Sequence, residues 1–172
     1  LISKPQCFDK YVFLSPLWGN MPSIPRMIQK FLIKNEKIFR FLQITKITNQ
    51  NPKKYIPYSL TVSFEKNTLT SDAAQFNRLQ TILRENTQFH CGTPTLGYLI
   101  AILREIHELN QTVFPNRKIL VLLAGQEEII DNDAVMLLIK KYDFIKQVTI
   151  EKAKHEILIE KEELRKEALL LI

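Results

Sequence analysis

The run Ile119-Leu-Val-Leu-Leu-Ala124 is wholly apolar and stops at Gly125. It is too short for a buried helix, and its length, its branched residues and the closing glycine suit a strand covered on both faces. Two further segments read the same way. Lys10-Tyr-Val-Phe-Leu-Ser15 is β-branched and aromatic and is closed by Pro16, whereas Gln147-Val-Thr-Ile-Glu151 is shorter and more polar, as expected toward a sheet edge. All three fit parallel strands.

Helical periodicity lies between and after these runs, over Thr95 to Leu109, Asn132 to Tyr142 (with Asp133 in an acidic first turn) and Lys161 to the C-terminus. Strands alternating with helices imply an α/β class with a parallel sheet flanked by helices. Three strands make a poor sheet of that kind, so further strands are expected upstream of Leu1. The first two runs are separated by about a hundred residues, far more than one parallel crossover needs. An inserted helical cap is therefore expected over residues 17–110, with the core formed by 1–16 and 111–172.

Within the insertion, Ile24, Met27, Ile28, Phe31, Leu32, Ile38, Phe39 and Leu42 recur at helical spacing. A break follows from Thr48 to Pro57, and then a helix from Ser71 with Ala74, Phe76, Leu79, Ile82 and Leu83 on its apolar side. The formal charge of +6 is concentrated here. Between Leu17 and Leu60, Arg26, Lys30, Lys34, Lys37, Arg40, Lys46, Lys53 and Lys54 face a single acid, Glu36. Such a segment seeks an anionic partner. Helical spacing by itself slightly favours a plainer arrangement, with the apolar side packed on the core and the basic side solvated.

Several classes drop out. An ordinary balance of apolar and charged residues over 172 residues argues against disorder and for a real core. No apolar run reaches the roughly 18 residues that a bilayer-crossing helix requires, and no secretory leader pattern opens the chain at Leu1. Cys7 and Cys91 are far apart and show no metal-ligand spacing, so a reducing, cytoplasmic setting is expected, with neither metal nor cofactor. Membrane contact is then peripheral, at the inner face. Positive charge without a recognisable module or interleaved aromatics argues against nucleic acid.

Of three histidines, His90 falls in a turn and His107 in the charged tail of a helix. His155 directly follows the third strand, at the edge where open α/β sheets place ligands and catalytic groups. The second strand runs into Gln126-Glu-Glu-Ile-Ile-Asp131, which puts carboxylates at that same edge. An imidazole beside a carboxylate supplies two members of a nucleophile–base–acid triad. The plainer alternative makes Glu127 and Glu128 solvated and Asp131 a helix cap.

Leu14-Ser-Pro-Leu-Trp-Gly19, Leu69-Thr-Ser71 with Phe76 and Arg78, Gly92-Thr-Pro-Thr95, Glu127-Glu-Ile-Ile-Asp-Asn132, and His155-Glu-Ile-Leu-Ile-Glu-Lys161 followed by Leu164-Arg-Lys-Glu-Ala168 run almost end to end along the chain. In this order they resemble the α/β-hydrolases of the lysophospholipase and monoacylglycerol lipase group, which also includes serine aminopeptidases. The resemblance implies the C-terminal part of an α/β-hydrolase fold with an inserted cap. It further implies a carboxylic-ester hydrolase, foremost a lysophospholipase, acting on a lipid substrate.

By the same resemblance His155 is the catalytic base. Glu127 occupies the place of the triad acid, and Asp131 remains the alternative. The nucleophile is absent: none of Ser3, Ser15, Ser23, Ser59, Ser63 or Ser71 has the flanking glycines of a Gly-x-Ser-x-Gly elbow. Leu1-Ile-Ser-Lys-Pro5 resembles the tail of the helix that such an elbow opens, so the serine is expected roughly ten residues upstream. The chain alone is expected to be inactive. Apolar cap faces would cover an acyl chain while Arg26, Lys30 and Lys34 meet an anionic head group. Alternatives are a monoacylglycerol lipase, an aminopeptidase, one subunit of a split enzyme with a separate N-terminal half, or a non-catalytic remnant.

Overall fold

A computed structural model describes residues 8–19, 24–42, 44–46, 56–90 and 94–172. Both cysteines, the Leu1–Pro5 segment, Ser23, Lys53, Lys54, Gly92 and most of the expected break before Pro57 lie outside the described residues.

Three strands, β1 (Lys10–Leu14), β2 (Lys118–Ala124) and β3 (Ile145–Ile150), form a parallel sheet in the order β1-β2-β3. The register pairs Leu14 with Leu122 and Ala124 with Ile150, so β2 and β3 end level and β1 ends two residues earlier on the same side. This shared C-terminal edge positions the site.

The apolar run of β2 follows from its place between two cores. Leu120, Leu122 and Ala124 pack with Ile150, Ala153, Ile157, Leu164 and Ala168 on one face. Ile119, Val121 and Leu123 pack with Phe114, Val135, Leu138 and Ile139 on the other. Side chains alternate across a strand, so only an unbroken apolar sequence serves both layers. Each fully buried Leu or Ile contributes about 1.5–3 kcal/mol.

The layers are made by α6 (Asn132–Ile139) on the second face and α7 (Glu162–Leu171) on the first. Helix α6 ends three residues before the expected Tyr142. That residue is drawn into tertiary contacts instead, its hydroxyl donating to the Thr112 carbonyl and its ring meeting Phe114. Strand β3 begins at Ile145, two residues earlier than expected, because Phe144 and Ile145 join the core on the α6 face.

Between β1 and β2 lie α1 (Arg26–Lys34), α2 (Glu36–Phe41), α3 (Tyr58–Thr61), α4 (Ala73–Glu85) and α5 (Leu96–Gln111). Helix α5 buries Ile100, Leu103 and Ile106. Helix α2 is tied to it by an Arg104–Glu36 ion pair at 3.1 Å. Asp72 caps α4 by accepting from the Ala74 and Gln75 N–H groups.

The basic segment is built the other way round from the packed arrangement that its spacing favours. Helix α1 buries only Gln29, while Met27, Ile28 and Phe31 are exposed, and Ile38, Phe41 and Leu42 are exposed after them. Periodicity correctly reports an amphipathic helix but not which side meets the protein. On α4, Phe76 is buried, but Ala74 and Ile82 are exposed rather than packed.

Candidate active site

Strand ends β2 and β3 are drawn together by Gly125. A Cβ there would lie 2.2 Å from the Glu151 carbonyl oxygen, so only glycine permits the approach. The Gly125 N–H donates to the Ile150 carbonyl and the Gln126 N–H to the Ala153 carbonyl, stitching the two following loops to each other. Glu127 and His155 ride on those loops.

His155 Nδ1 lies 2.8 Å from Glu127 Oε2. The Glu127 side chain is 2% exposed and that of His155 20%. The other carboxylate oxygen accepts from the Ile129 N–H at 2.7 Å and the Ile130 N–H at 3.3 Å. Burial pushes the Glu127 carboxyl up, but the hydrogen bonds from His155 and from Ile129, with the imidazole's charge, outweigh it and hold the group below its ordinary 4.5. The hydrogen bond to Glu127 raises His155 above its ordinary 6.5; burial opposes this, and the charges of Glu127 and Glu156 support it. With Nδ1 committed to the carboxylate, Nε2 is the nitrogen left to exchange a proton.

The backbone of His155 is held from two sides. Its carbonyl accepts from Ser15 Oγ at 2.8 Å, at the end of β1, where Ser15 has a left-handed φ of 39°. A non-glycine residue there costs about 1–3 kcal/mol and persists only where surrounding contacts dictate it. On the other side the His155 N–H donates to the Thr68 carbonyl at 3.4 Å and the Glu156 N–H to the Leu69 carbonyl at 2.9 Å. The 67–71 segment of the insertion thus straps the histidine loop.

Beneath this strap sits Glu160, fully buried. Its carboxylate accepts from the N–H groups of Ser71, Lys154 and Lys161 and from Ser71 Oγ at 2.6 Å. Thr70 Oγ donates to the Ile159 carbonyl, and Lys154 Nζ reaches the Asn67 carbonyl. Sequence reasoning missed this anchor. Glu160 and Ser71 both stand in the family-like segments, but nothing local shows that residues 89 positions apart meet.

The remaining candidates are placed differently. Asp131 is the N-cap of α6, its Oδ1 accepting from the Ala134 N–H at 2.9 Å, so it is Glu127 that meets the imidazole. The plainer alternative therefore holds for the capping by Asp131 and for the exposed Glu128, while the Glu127 side chain is the reverse of solvated. His90 Nε2 is paired with the Leu83 carbonyl and His107 Nε2 with the Gln111 amide. Among the described residues no serine hydroxyl is hydrogen-bonded to the His155 ring; Ser15 and Ser71 serve the backbone and Glu160. Arg26 and Lys30 line a cavity against α5, and Lys34 is not part of its wall.

No protein-family model matches the sequence, and no curated protein matches it. Solved structures do. A soluble variant of monoglyceride lipase from Saccharomyces cerevisiae, in complex with a substrate analog, superposes with a TM-score of 0.60 at 12% identity, over 94% of this chain and 53% of that one. The monoacylglycerol lipase of Paleococcus ferrophilus gives 0.58 at 14% identity, over 98% and 59%. The chain thus spans little more than half the length of either. At such identities the likeness is one of fold, that of part of an α/β-hydrolase.

Proposed function

We propose that the chain is the C-terminal part of a serine hydrolase acting on acyl esters, with His155 as its base, Glu127 as its acid and a nucleophilic serine supplied from outside residues 1–172. The observation that carries this reading is the 2.8 Å pairing of His155 Nδ1 with a buried Glu127 at the C-terminal edge of a parallel sheet. An acid in that position selects the tautomer in which Nε2 accepts a proton, and it stabilises the imidazolium that results. The serine hydroxyl passes its proton to Nε2 as its oxygen attacks the acyl carbon, and the same proton then goes to the departing alcohol. Residues 1–16 and 111–172 form the core in this scheme, and 17–110 form the cap.

A lysophospholipid is the proposed substrate, supported by the cations of α1 beside an apolar surface. A monoacylglycerol is the second reading, favoured by the names of the two fold neighbours. Among the described residues no helix is long and apolar enough to cross a membrane. The exposed Met27, Phe31 and Phe41, interleaved with Lys34, Lys37 and Arg40, support peripheral contact with an anionic lipid surface.

The test joins the chain to an upstream segment bearing a Gly-x-Ser-x-Gly elbow. Ester hydrolysis is expected from the joined protein and not from residues 1–172 alone, and it should vanish in His155→Ala. Labelling of a serine in the isolated chain by a phosphonate probe would refute the external nucleophile. Rates on lysophosphatidyl esters, monoacylglycerols and aminoacyl amides separate the substrate classes.

A further inference from the structure

Helix α1 has a second face, centred on the buried Gln29, with Arg26 and Lys30 exposed along it. Arg26 and Lys30 line a cavity of about 150 Å3 between α1 and α5, whose far wall includes His107 and Asn110 and whose end is closed by Gly19 and Ala134. A water molecule occupies about 30 Å3 of liquid volume, so the space admits a group of several heavy atoms.

Among the described residues the wall carries two cations, Arg26 and Lys30, and no carboxylate. Among the described residues neither Arg26 nor Lys30 has an ion-pair partner, although Arg40, Arg104 and Lys166 all have one. Like charges four apart on a helix repel. Arg26 and Lys30 are both exposed at the mouth of the cavity, and an anion held between them would offset that repulsion. His107 adds a donor: the Gln111 amide occupies its Nε2 at 2.8 Å, which leaves Nδ1 to carry the hydrogen. The Asn110 amide is committed to the Trp18 and Ile106 carbonyls and keeps that wall in place. Ile33, Leu103 and Ile106 supply an apolar backing that strengthens charge–charge attraction.

The cavity also adjoins the acid loop. Gly19 is packed so closely that a Cβ would lie 2.6 Å from the Asp131 carbonyl oxygen and 2.9 Å from the Ala134 side chain. Asp131 ends the same loop that carries Glu127.

We infer that this cavity binds a phosphate group, with the Arg26 fork and the Lys30 ammonium as its cationic contacts and the His107 Nδ1–H as a further donor. A guanidinium presents paired donors that match phosphate oxygens, and lysine adds a point charge. Assigning that phosphate to a substrate head group rests on the hydrolase reading. Anion binding itself does not.

The experiment is a nuclear magnetic resonance titration of the 172-residue chain with inorganic phosphate, glycerol 3-phosphate and uncharged glycerol, in wild type, Arg26→Met/Lys30→Met and Lys34→Met. Saturable shifts of the His107 ring and the Ala134 amide are expected with both phosphates. Affinity should fall at least about tenfold in the double variant, because each charged hydrogen bond lost is worth that much, and stay unchanged in Lys34→Met. Tighter binding of glycerol 3-phosphate supports a phosphoester head group; equal or tighter binding of inorganic phosphate supports the free ion. Equal response to glycerol, or equal affinity in the double variant with its amide spectrum otherwise intact, overturns the proposal. A hydrolytically active joined enzyme without these shifts would discard the phosphate site alone, and saturable binding beside an inactive one would discard the hydrolase reading alone.

Discussion

Glu127 and His155 stand 28 residues apart and meet at 2.8 Å because the ends of two neighbouring parallel strands are laced together by the Gly125 and Gln126 amides. Neither loop alone determines the pair. The carboxylate is shielded and further fixed by backbone donors, while the imidazole keeps a fifth of its surface open.

Titration of His155 follows from this geometry. Its pKa is raised, so stability from the charged imidazole is fully present below 6.5 and is lost as pH rises through the higher folded value. That of Glu127 is lowered, so its contribution is present above 4.5 and is lost as pH falls through the lower folded value. The stability difference between wild type and Glu127→Gln, read by urea denaturation, should thus be largest between pH 4.5 and 6.5. By nuclear magnetic resonance the His155 midpoint should lie above 6.5 in wild type and drop in the variant.

Glu127 and Asp131 are separable by what their loss costs. In the joined enzyme, Glu127→Gln should reduce kcat by about 10⁴, the scale seen when a triad acid is neutralised. Asp131→Ala should leave kcat nearly unchanged and cost about 1 kcal/mol of stability through the lost cap of α6.

Gly125→Ala places a methyl group against the Glu151 carbonyl. Separation of the two loops should cost on the order of 1–3 kcal/mol in chemical denaturation. The His155 midpoint should move toward its ordinary value as the contact with Glu127 lengthens.

Glu160→Ala leaves the buried N–H groups of Ser71 and Lys154 without their acceptor. At about 1–3 kcal/mol for each orphaned donor, the loss should reach roughly 3 kcal/mol in thermal unfolding. Hydrogen exchange at Lys154 and Glu156 should accelerate. Ser71→Ala, which removes one hydroxyl contact, should cost about 1 kcal/mol.

Replacing Met27, Phe31 and Phe41 by serine should change stability by no more than about 0.5 kcal/mol each, because these side chains already face solvent. Cosedimentation with anionic lipid vesicles should fall sharply. Wild-type binding should weaken as salt rises, since the interleaved lysines and arginines act through screened attraction.

The alternation of apolar strands and periodic helices, the length of the insertion between β1 and β2, and the place of His155 just past β3 were all legible from the residues in order. Each is a local property: strand and helix periods are imposed by backbone geometry, and a residue that follows a strand must emerge at its end. Tertiary structure decided what no local pattern encodes. It paired His155 with Glu127 rather than Asp131, because one carboxylate is turned onto a neighbouring loop and the other onto its own helix. It brought Ser71 to Glu160 across 89 positions. It also turned the apolar side of α1 outward, since periodicity defines a helix's two faces but only the packed neighbours determine which one meets the protein.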